Sequence, residues 1–421
     1  MNTPAAITTQ AEPALGAWAE LVCAGARSPR IVVGHQPGLW HPGVLAKYFA
    51  AHALAQATGG NVTHLVADQD TGDPLSIDVP VRGAPDNPWS LRVEQLRFGD
   101  APDPETPLCR APPVEADRVR DEYGIAETLR ASVRADSLAE QVTRANASLL
   151  GGLLPSAESL FASQLAQTDR FREMVSRLFE DAPRAHESYN RAVRAHPDAR
   201  MRPLGRDDAR GLELPLWHVD SRGRRAPLFS TDERPADVLP RAVLLSAFVR
   251  AHCCDVSIVG TGGAQYEPIA EAWLGDWLAY DLAPAFVVSA DVRLDLVPRL
   301  ETPASAATSA WRAHRARHDP SLVGDHARAA RKAELLARLK QADDRAERSR
   351  LYRVMHGLLD EYRLAHADEL ARFTREADDA RGRVDGSRIA SRRDWAWPLY
   401  PHGQIERLRD EIRSAISPPT A

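Results

Sequence analysis

Lysine is almost missing from this chain. Lys47, Lys332 and Lys340 are the only three among 53 basic residues, so arginine carries nearly all of the positive charge. Against that background no single arginine is informative, and no GxxxxGK[ST] phosphate loop exists. Cysteine is scarce too. Cys23, Cys109, Cys253 and Cys254 show neither a CxxC pair nor zinc-finger spacing, which argues against a disulfide framework and a structural zinc site. No run approaches the ~18 consecutive apolar residues of a membrane span. The opening MNTPAAITTQAEPALGAW lacks a basic stretch followed by an apolar one, so no secretory leader is expected. A net charge of −5 argues against bulk attraction to nucleic acid or anionic membrane. No GxSxG elbow is present, so nothing points to a serine hydrolase. What remains is a 421-residue chain, 44% hydrophobic and 26% charged. That is enough for two or three domains with a sizeable core, expected in the cytoplasm.

The first clear element is the apolar run Arg30-Ile31-Val32-Val33, which reads as a buried parallel strand ending at Gly34-His35. The loop GHQPGLWHPG follows, then a helix over VLAKYFAAHALAQATGG closed by Gly59-Gly60, then a strand Val62–Ala67 ending in Asp68-Gln69-Asp70. Strand, loop, helix and strand in this order make a βαβ unit, the opening of a doubly wound α/β domain. Chemistry in such sheets lies beyond the carboxyl ends of the strands, where GHQP and DQD both fall. From about Pro113 to Pro197 helical spacing dominates, as in SLFASQLAQTDRFREMVSRLFEDA, and predicts a helical insertion. The α/β pattern returns with Leu212–Trp217, a helix over PADVLPRAVLLSAFVRAH, a strand Asp255–Val259 running into Gly260-Thr261-Gly262-Gly263, a helix over 266–277 and a strand Pro284–Val288. From about His326 to Arg381 there is no proline. Met355, Leu358, Tyr362, Ala365, Leu370, Phe373 and Ala377 approach a three-four alternation with one five-residue step, the pattern of a coiled coil or helical hairpin.

Three motifs carry chemistry. In GHQPGLWHPG, the helix that follows offers unpaired N–H groups to an anion, His35 and His41 flank that place, and Lys47 lies one or two turns into the same helix. The layout resembles the first loop of nucleotidyl-transferring synthetases without their HxGH pattern. The plainer alternative is that Gly and Pro only shape a turn. Asp68 and Asp70 suit Mg²⁺ or the amine or hydroxyls of a substrate, and equally suit a turn. GTGGAQYE, between strand and helix, suits phosphate or carboxylate held by backbone N–H groups. It does not satisfy GxGxxG, which disfavours NAD; its glycines could also serve close packing. Tyr266 could stack or donate, and Glu267 could grip an amine. Cys253 and Cys254 read as small buried hydrophobes.

The order of these pieces resembles the BshC-type family, the cysteine-adding enzymes of bacillithiol biosynthesis. The matching segments are Gly34-His35-Gln36-Pro37-Gly38-Leu39-Trp40, Asp68-Gln69-Asp70, Pro240-Arg241-Ala242, Gly262-Gly263-Ala264-Gln265-Tyr266-Glu267 and Pro401-His402-Gly403-Gln404-Ile405-Glu406-Arg407. The chain departs from the family pattern in its shorter length, in Gln69 where a histidine is usual, in the place of Lys47 and in the missing proline after Gly263. The resemblance implies a Rossmann-like doubly wound core over residues 1–300, interrupted by a helical insertion at about 113–200. It implies a coiled-coil arm over 301–385 and a segment 386–421 that returns to the core. It implies a ligase that joins cysteine's carboxylate to the amine of glucosaminyl-malate, with His35, His41 and Lys47 neutralising charge as the carboxylate is activated. Asp68 and Asp70 would orient the sugar or a metal ion, although no metal site is assigned. Gly260, Gly262 and Gly263 would hold phosphate or malate with Arg241 pairing to a carboxylate, and Glu267 would bind the amine. Gln36, Tyr266, His402 and Arg407 join the substrate set through their motifs. The cofactor stays open, with ATP or ADP and Mg²⁺ as candidates. The partners implied are small molecules and a second copy of the chain, a homodimer through the arm. The alternatives are a paralogue with nucleotidyltransferase-like activity on another acid or amine, and a non-catalytic assembly protein whose arm is the working part.

Overall fold

The structure, a computed structural model, describes residues 7–24, 28–115 and 123–416. The first six residues and the side chain of Cys23, on which part of the expectation about leader and thiols rests, lie outside the described residues. The chain divides into two compact units, one formed by Pro80–Glu94 and Leu294–Arg392, the other by the remaining described residues.

The larger unit is built on a six-stranded sheet. Its strands are β1 (Ile7–Ala11), β2 (Arg30–His35), β3 (Asn61–Val66), β6 (Glu158–Phe161), β11 (Val256–Val259) and β12 (Ala285–Val292). They lie in the order β1-β12-β11-β2-β3-β6, all parallel except β1, which runs antiparallel to β12. Ile31, Val32 and Val33 are buried because both faces of a parallel strand are covered, which is why β2 reads as an unbroken apolar run. From β2 the chain winds outward through β3 to β6, then returns to the other side of β2 for β11 and β12. The winding therefore reverses between β2 and β11, which pair through Ile31–Val256, Val32–Ser257 and Val33–Ile258. A parallel-strand α/β architecture is thus present as expected. Among the described residues, no helix is long and apolar enough to cross a membrane.

Two smaller sheets complete the strands. β4 (Ser76–Arg82) pairs with β5 (Leu91–Arg97). β8 (Gly211–Val219) has β7 (Arg206–Asp207), β9 (Arg225–Phe229) and β10 (Val238–Pro240) as antiparallel neighbours. Two local expectations are corrected. Residues 159–161, expected inside a helical pattern, belong to β6 and extend the main sheet, pairing from Thr63–Glu158 to Val66–Phe161. A four-residue strand between two helical patterns has no period of its own to show. The helix expected over 235–252 starts only at Ala242, because Pro240 cannot sit inside it and ends β10 instead. The core of this unit centres on Trp273 and Trp277, stacked at 5.7 Å, with the Trp273 indole N–H donating to Ala185 O at 3.0 Å. Cys254 is buried as expected, and burial pushes its thiol up to about 12.

In the smaller unit, helix Pro303–Ala316 packs on Ala367–Ala390, and His326–Gln341 packs on Arg345–Ala365. The buried apolar positions are Leu351, Met355, Leu359 and Tyr362 on Arg345–Ala365, and Phe373, Ala377, Ala380 and Ala390 on Ala367–Ala390. Leu359 rather than Leu358 is the buried position, and Ala365 is exposed. The five-residue step of the sequence pattern is a break between helices: one ends at Ala365 and the next starts at Ala367. Tyr362 fixes this corner by donating its hydroxyl to Ala316 O at 2.6 Å, and His366 Nε2 lies 3.1 Å from Asp325 Oδ2.

Candidate active site

Where the winding reverses, the carboxyl ends of β2 and β11 leave a cavity of about 470 Å³. Crevices of this kind are where open α/β sheets bind ligands. His35, Gln36, His41, Lys47, Asp70, Gly260, Gly262, Gly263, Tyr266 and Glu267 all line it. Asp68, Arg241, His402 and Arg407 do not.

The β2 loop is shaped by close approach. A Cβ on Gly34 would meet Leu65 Cβ at 2.8 Å, and one on Gly43 would meet Ala290 O at 2.8 Å. The helix Pro42–Thr58 then begins with its own cap. His41 Nδ1 accepts from Gly43 N at 3.1 Å, Pro42 has no N–H, and Val44 donates to His41 O. The expectation that this helix presents unpaired N–H groups to an anion is corrected: the imidazole at the cap has taken the available one. Because Nδ1 accepts, the proton of neutral His41 sits on Nε2, so the ring is a donor at the cavity. His35 has the opposite tautomer. Its Nδ1 lies 3.3 Å from Gln36 O, a carbonyl that can only accept, which leaves Nε2 as an acceptor. Burial lowers the His35 pKa to about 3, helped by nearby Lys47, and burial also lowers that of His41 with Arg393 adding to the effect. Both rings are neutral at physiological pH.

Lys47 is the unusual group. It is buried, its Nζ donates to Gly34 O, and no carboxylate among the described residues pairs with it. Burial alone pulls its pKa down to about 7. A buried ammonium without a counter-charge is costly, and such groups concentrate where they serve a ligand.

The acidic residues are less available than their sequence positions suggest. Asp70 accepts from Gln36 Nε2 at 3.1 Å and Arg225 Nη1 at 2.9 Å, so it positions Gln36 on the cavity rim. Asp68 is buried away from the cavity, where Ser163 N (2.9 Å) and the Ser163 hydroxyl both donate to it. It ties β3 to the start of the helix after β6, and with its oxygens used there the two aspartates do not fit a shared Mg²⁺ site. Among the described residues, no cluster of three or more His, Cys, Asp or Glu suits a metal. Glu267 lines the cavity, but Ser246 Oγ donates to it at 2.6 Å and Arg250 Nη1 at 2.7 Å in a fully buried pair. That carboxylate is held by the protein rather than left for an amine. Arg241 pairs with Glu213 at 2.8 Å and lies over the Trp217 ring at 4.0 Å. It has found its carboxylate inside the protein.

The glycines divide. Gly263 is packed tightly, its Cβ position 3.1 Å from Val259 Cβ, whereas Gly262 faces open space and Gly260 meets only Lys47 Cδ at 3.9 Å. Close packing thus explains one of the three. Tyr266 keeps its proton, since burial raises its pKa to about 12 with Glu267 and Asp70 adding to it.

Two features escaped sequence reasoning. Gln69 lines the cavity, is only 4% exposed, and its Oε1 is buried with no hydrogen-bond partner. Its signals in the sequence were its place between two aspartates and its departure from the histidine of the resembled pattern, and neither marked it as a cavity residue. The C-terminal segment contributes through aromatics rather than through His402 and Arg407. Trp397 N donates to Trp40 O at 2.7 Å, bracing the β2 loop, and Arg393 pairs with Asp291 beside His41. His402 and Arg407 are exposed on the last helix, His402 Nδ1 lying 3.4 Å from Glu406, because they sit on its solvent face opposite buried Ile405 and Leu408.

No protein-family model matches this chain, and no curated protein matches it either.

Proposed function

We propose that the protein is a carbon–nitrogen ligase-like enzyme. It would join an amino-acid carboxylate, in the first instance cysteine's, to an amino-sugar amine such as that of glucosaminyl-malate, on a Rossmann-like doubly wound core. The observation that carries this reading is buried Lys47, without a counter-charge, facing the cavity beside two neutral histidines of opposite tautomer. Lys47 and the His41 Nε2–H supply positive charge and a donor where an activated carboxylate builds up negative charge. A low-dielectric wall strengthens both. The His35 Nε2 lone pair and the orphaned Gln69 Oε1 accept from the amine and aim it. Condensation of a carboxylate with an amine is uphill in water, so a phosphoryl or adenylyl donor must activate the acid. The amine nitrogen then attacks the carbonyl carbon, the bond to the phosphate oxygen breaks, and the amine proton leaves to solvent.

The smaller unit serves in this reading as a coiled-coil-like arm for homodimerisation. Supporting it, Trp311, Tyr352, Val354 and Leu364 on these helices are large apolar residues left exposed. Light scattering at two concentrations checks that part, and a monomer at micromolar concentration counts against it.

The enzyme assay is mass-spectrometric. Purified protein receives cysteine, glucosaminyl-malate, ATP and Mg²⁺, then the same mixture with each omitted in turn. The expected product has the mass of the cysteine amide and disappears in Lys47→Met. A folded protein that makes no amide from these substrates, or from a panel of other amino acids and amino sugars, overturns the reading.

A further inference from the structure

A second cavity of about 340 Å³ adjoins the first, and His35 and Gln36 belong to the walls of both. Its lining is different in kind. It contains no Asp, Glu, Lys or Arg, whereas the first cavity holds Lys47, Asp70 and Glu267. His64 contributes the one other imidazole, its Nε2 3.0 Å from His52 Nε2, and burial lowers both to about 4 while it raises the Tyr48 phenol, so this wall is uncharged at neutral pH.

The aromatic wall is braced from several sides. Trp40 stacks on buried Tyr48 at 4.3 Å, and Tyr48 meets His64 edge-on at 4.9 Å. The Trp40 indole N–H donates to Gln36 O at 2.9 Å, which fixes the ring beside the residue shared by the two cavities. Opposite stands the helix Leu138–Leu149. Its Asn146 is 2% exposed, and Asn146 Oδ1 accepts from the Trp397 indole N–H at 2.9 Å, which leaves the amide N–H groups as the donors of this wall residue. A flat, braced aromatic face, an absence of charge and a buried amide donor suit a planar ring with a hydrogen-bond acceptor on its edge.

We propose that this annex binds an uncharged planar ring, a nucleobase or a heteroaryl group, belonging to the same molecule whose anionic part sits beside Lys47. The proposal rests on the reading of the first cavity as an anion site and names the substrate's other half. Continuity through His35 and Gln36 lets one ligand occupy both compartments. A linker between ring and anion passes the His35 Nε2 acceptor.

The test is calorimetric binding to the full chain with matched probes. ATP is compared with tripolyphosphate, and 3-(3-pyridyl)propanoate with propanoate, which separates a nucleotide source of the ring from a heteroaryl acid. Ala147, exposed at the annex on the helix Leu138–Leu149, provides the plug Ala147→Trp, a surface change that leaves the core intact. One ring-bearing probe is expected to bind at least tenfold more tightly than its ringless partner, and Ala147→Trp should erase that advantage while leaving the ringless anion's affinity unchanged. Equal affinities within both pairs, or a ring advantage that survives the plug, overturn the proposal. Failure of the anion reading looks different. Tripolyphosphate and propanoate would then bind no more weakly to Lys47→Met than to the wild type, whereas adenosine, which has the ring and no charge, would still bind in a plug-sensitive way if the annex assignment holds.

Discussion

Replacing Lys47 by Met is expected to stabilise the protein while abolishing its anion site, and the stability gain should depend on pH. Burial lowers the Lys47 pKa from 10.5 to about 7. A lysine depressed in this way binds more protons in the unfolded chain, so it opposes folding while it is charged. Below about pH 7 the group is charged in both states and the whole penalty applies. A displacement of this size corresponds to about 5 kcal/mol at about 1.4 kcal/mol per pH unit. Between about pH 7 and 10.5 the folded protein releases a proton that the unfolded chain retains, and the penalty fades. Above that range both states are neutral and it is gone. Methionine cannot donate to Gly34 O, and the lost bond returns about 1–3 kcal/mol to the wild type. The net expectation is a variant more stable by about 2–4 kcal/mol at pH 6, the difference falling by about 1.4 kcal/mol per pH unit above pH 7. Urea denaturation of both proteins at intervals from pH 6 to pH 10 measures it, and titration with tripolyphosphate reads the anion site. A stability difference that does not change with pH, or a variant less stable at pH 6, refutes the reasoning that Lys47 is a buried cation waiting for a counter-charge.

Other residues allow shorter tests. Arg250→Met should cost about 3–5 kcal/mol in the same denaturation assay, because it strands the Glu267 carboxylate in a buried position; a loss under about 1 kcal/mol would mean that the pair is solvated. His41→Ala removes the helix cap and should cost about 1 kcal/mol, whereas His41→Asn keeps a capping oxygen and should retain stability yet lose turnover with the imidazole. Unchanged turnover in His41→Asn would show that the ring is only a cap. Gln69→Leu removes a buried oxygen that has no partner, so stability should hold or rise while KM for the amine substrate increases about tenfold, an effect of about 1.4 kcal/mol. An unchanged KM would exclude contact with the amine.

Much of the frame was legible because parallel strands buried on both faces show up as continuous apolar runs. β2 and β11 announce themselves this way, β3 through its β-branched Val62 and Thr63 followed by Leu65 and Val66, and the Gly and Pro of GHQPGLWHPG mark the turn between strand and helix. β6 and β10 did not: β6, Glu-Ser-Leu-Phe, has no apolar run to set it apart from the helical pattern around it, and β10 has only three residues. The five-residue step in the arm was visible, but that it is a break between two helices became clear only from His366 between Ala365 and Ala367.

The sequence by itself determined which residues arrive at the carboxyl ends of β2, β3 and β11, because chain order and strand ends follow from local patterning. Only the tertiary structure decided which of them remain free for a ligand. Asp68 was claimed by Ser163, Arg241 by Glu213 and Glu267 by Arg250, partners 95, 28 and 17 residues away in the chain. Lys47 was left with a backbone carbonyl alone and Gln69 Oε1 with nothing. Periodicity records whether a position faces a core, since burial acts on each residue singly. Pairing depends on two distant segments meeting, and no local pattern carries that information.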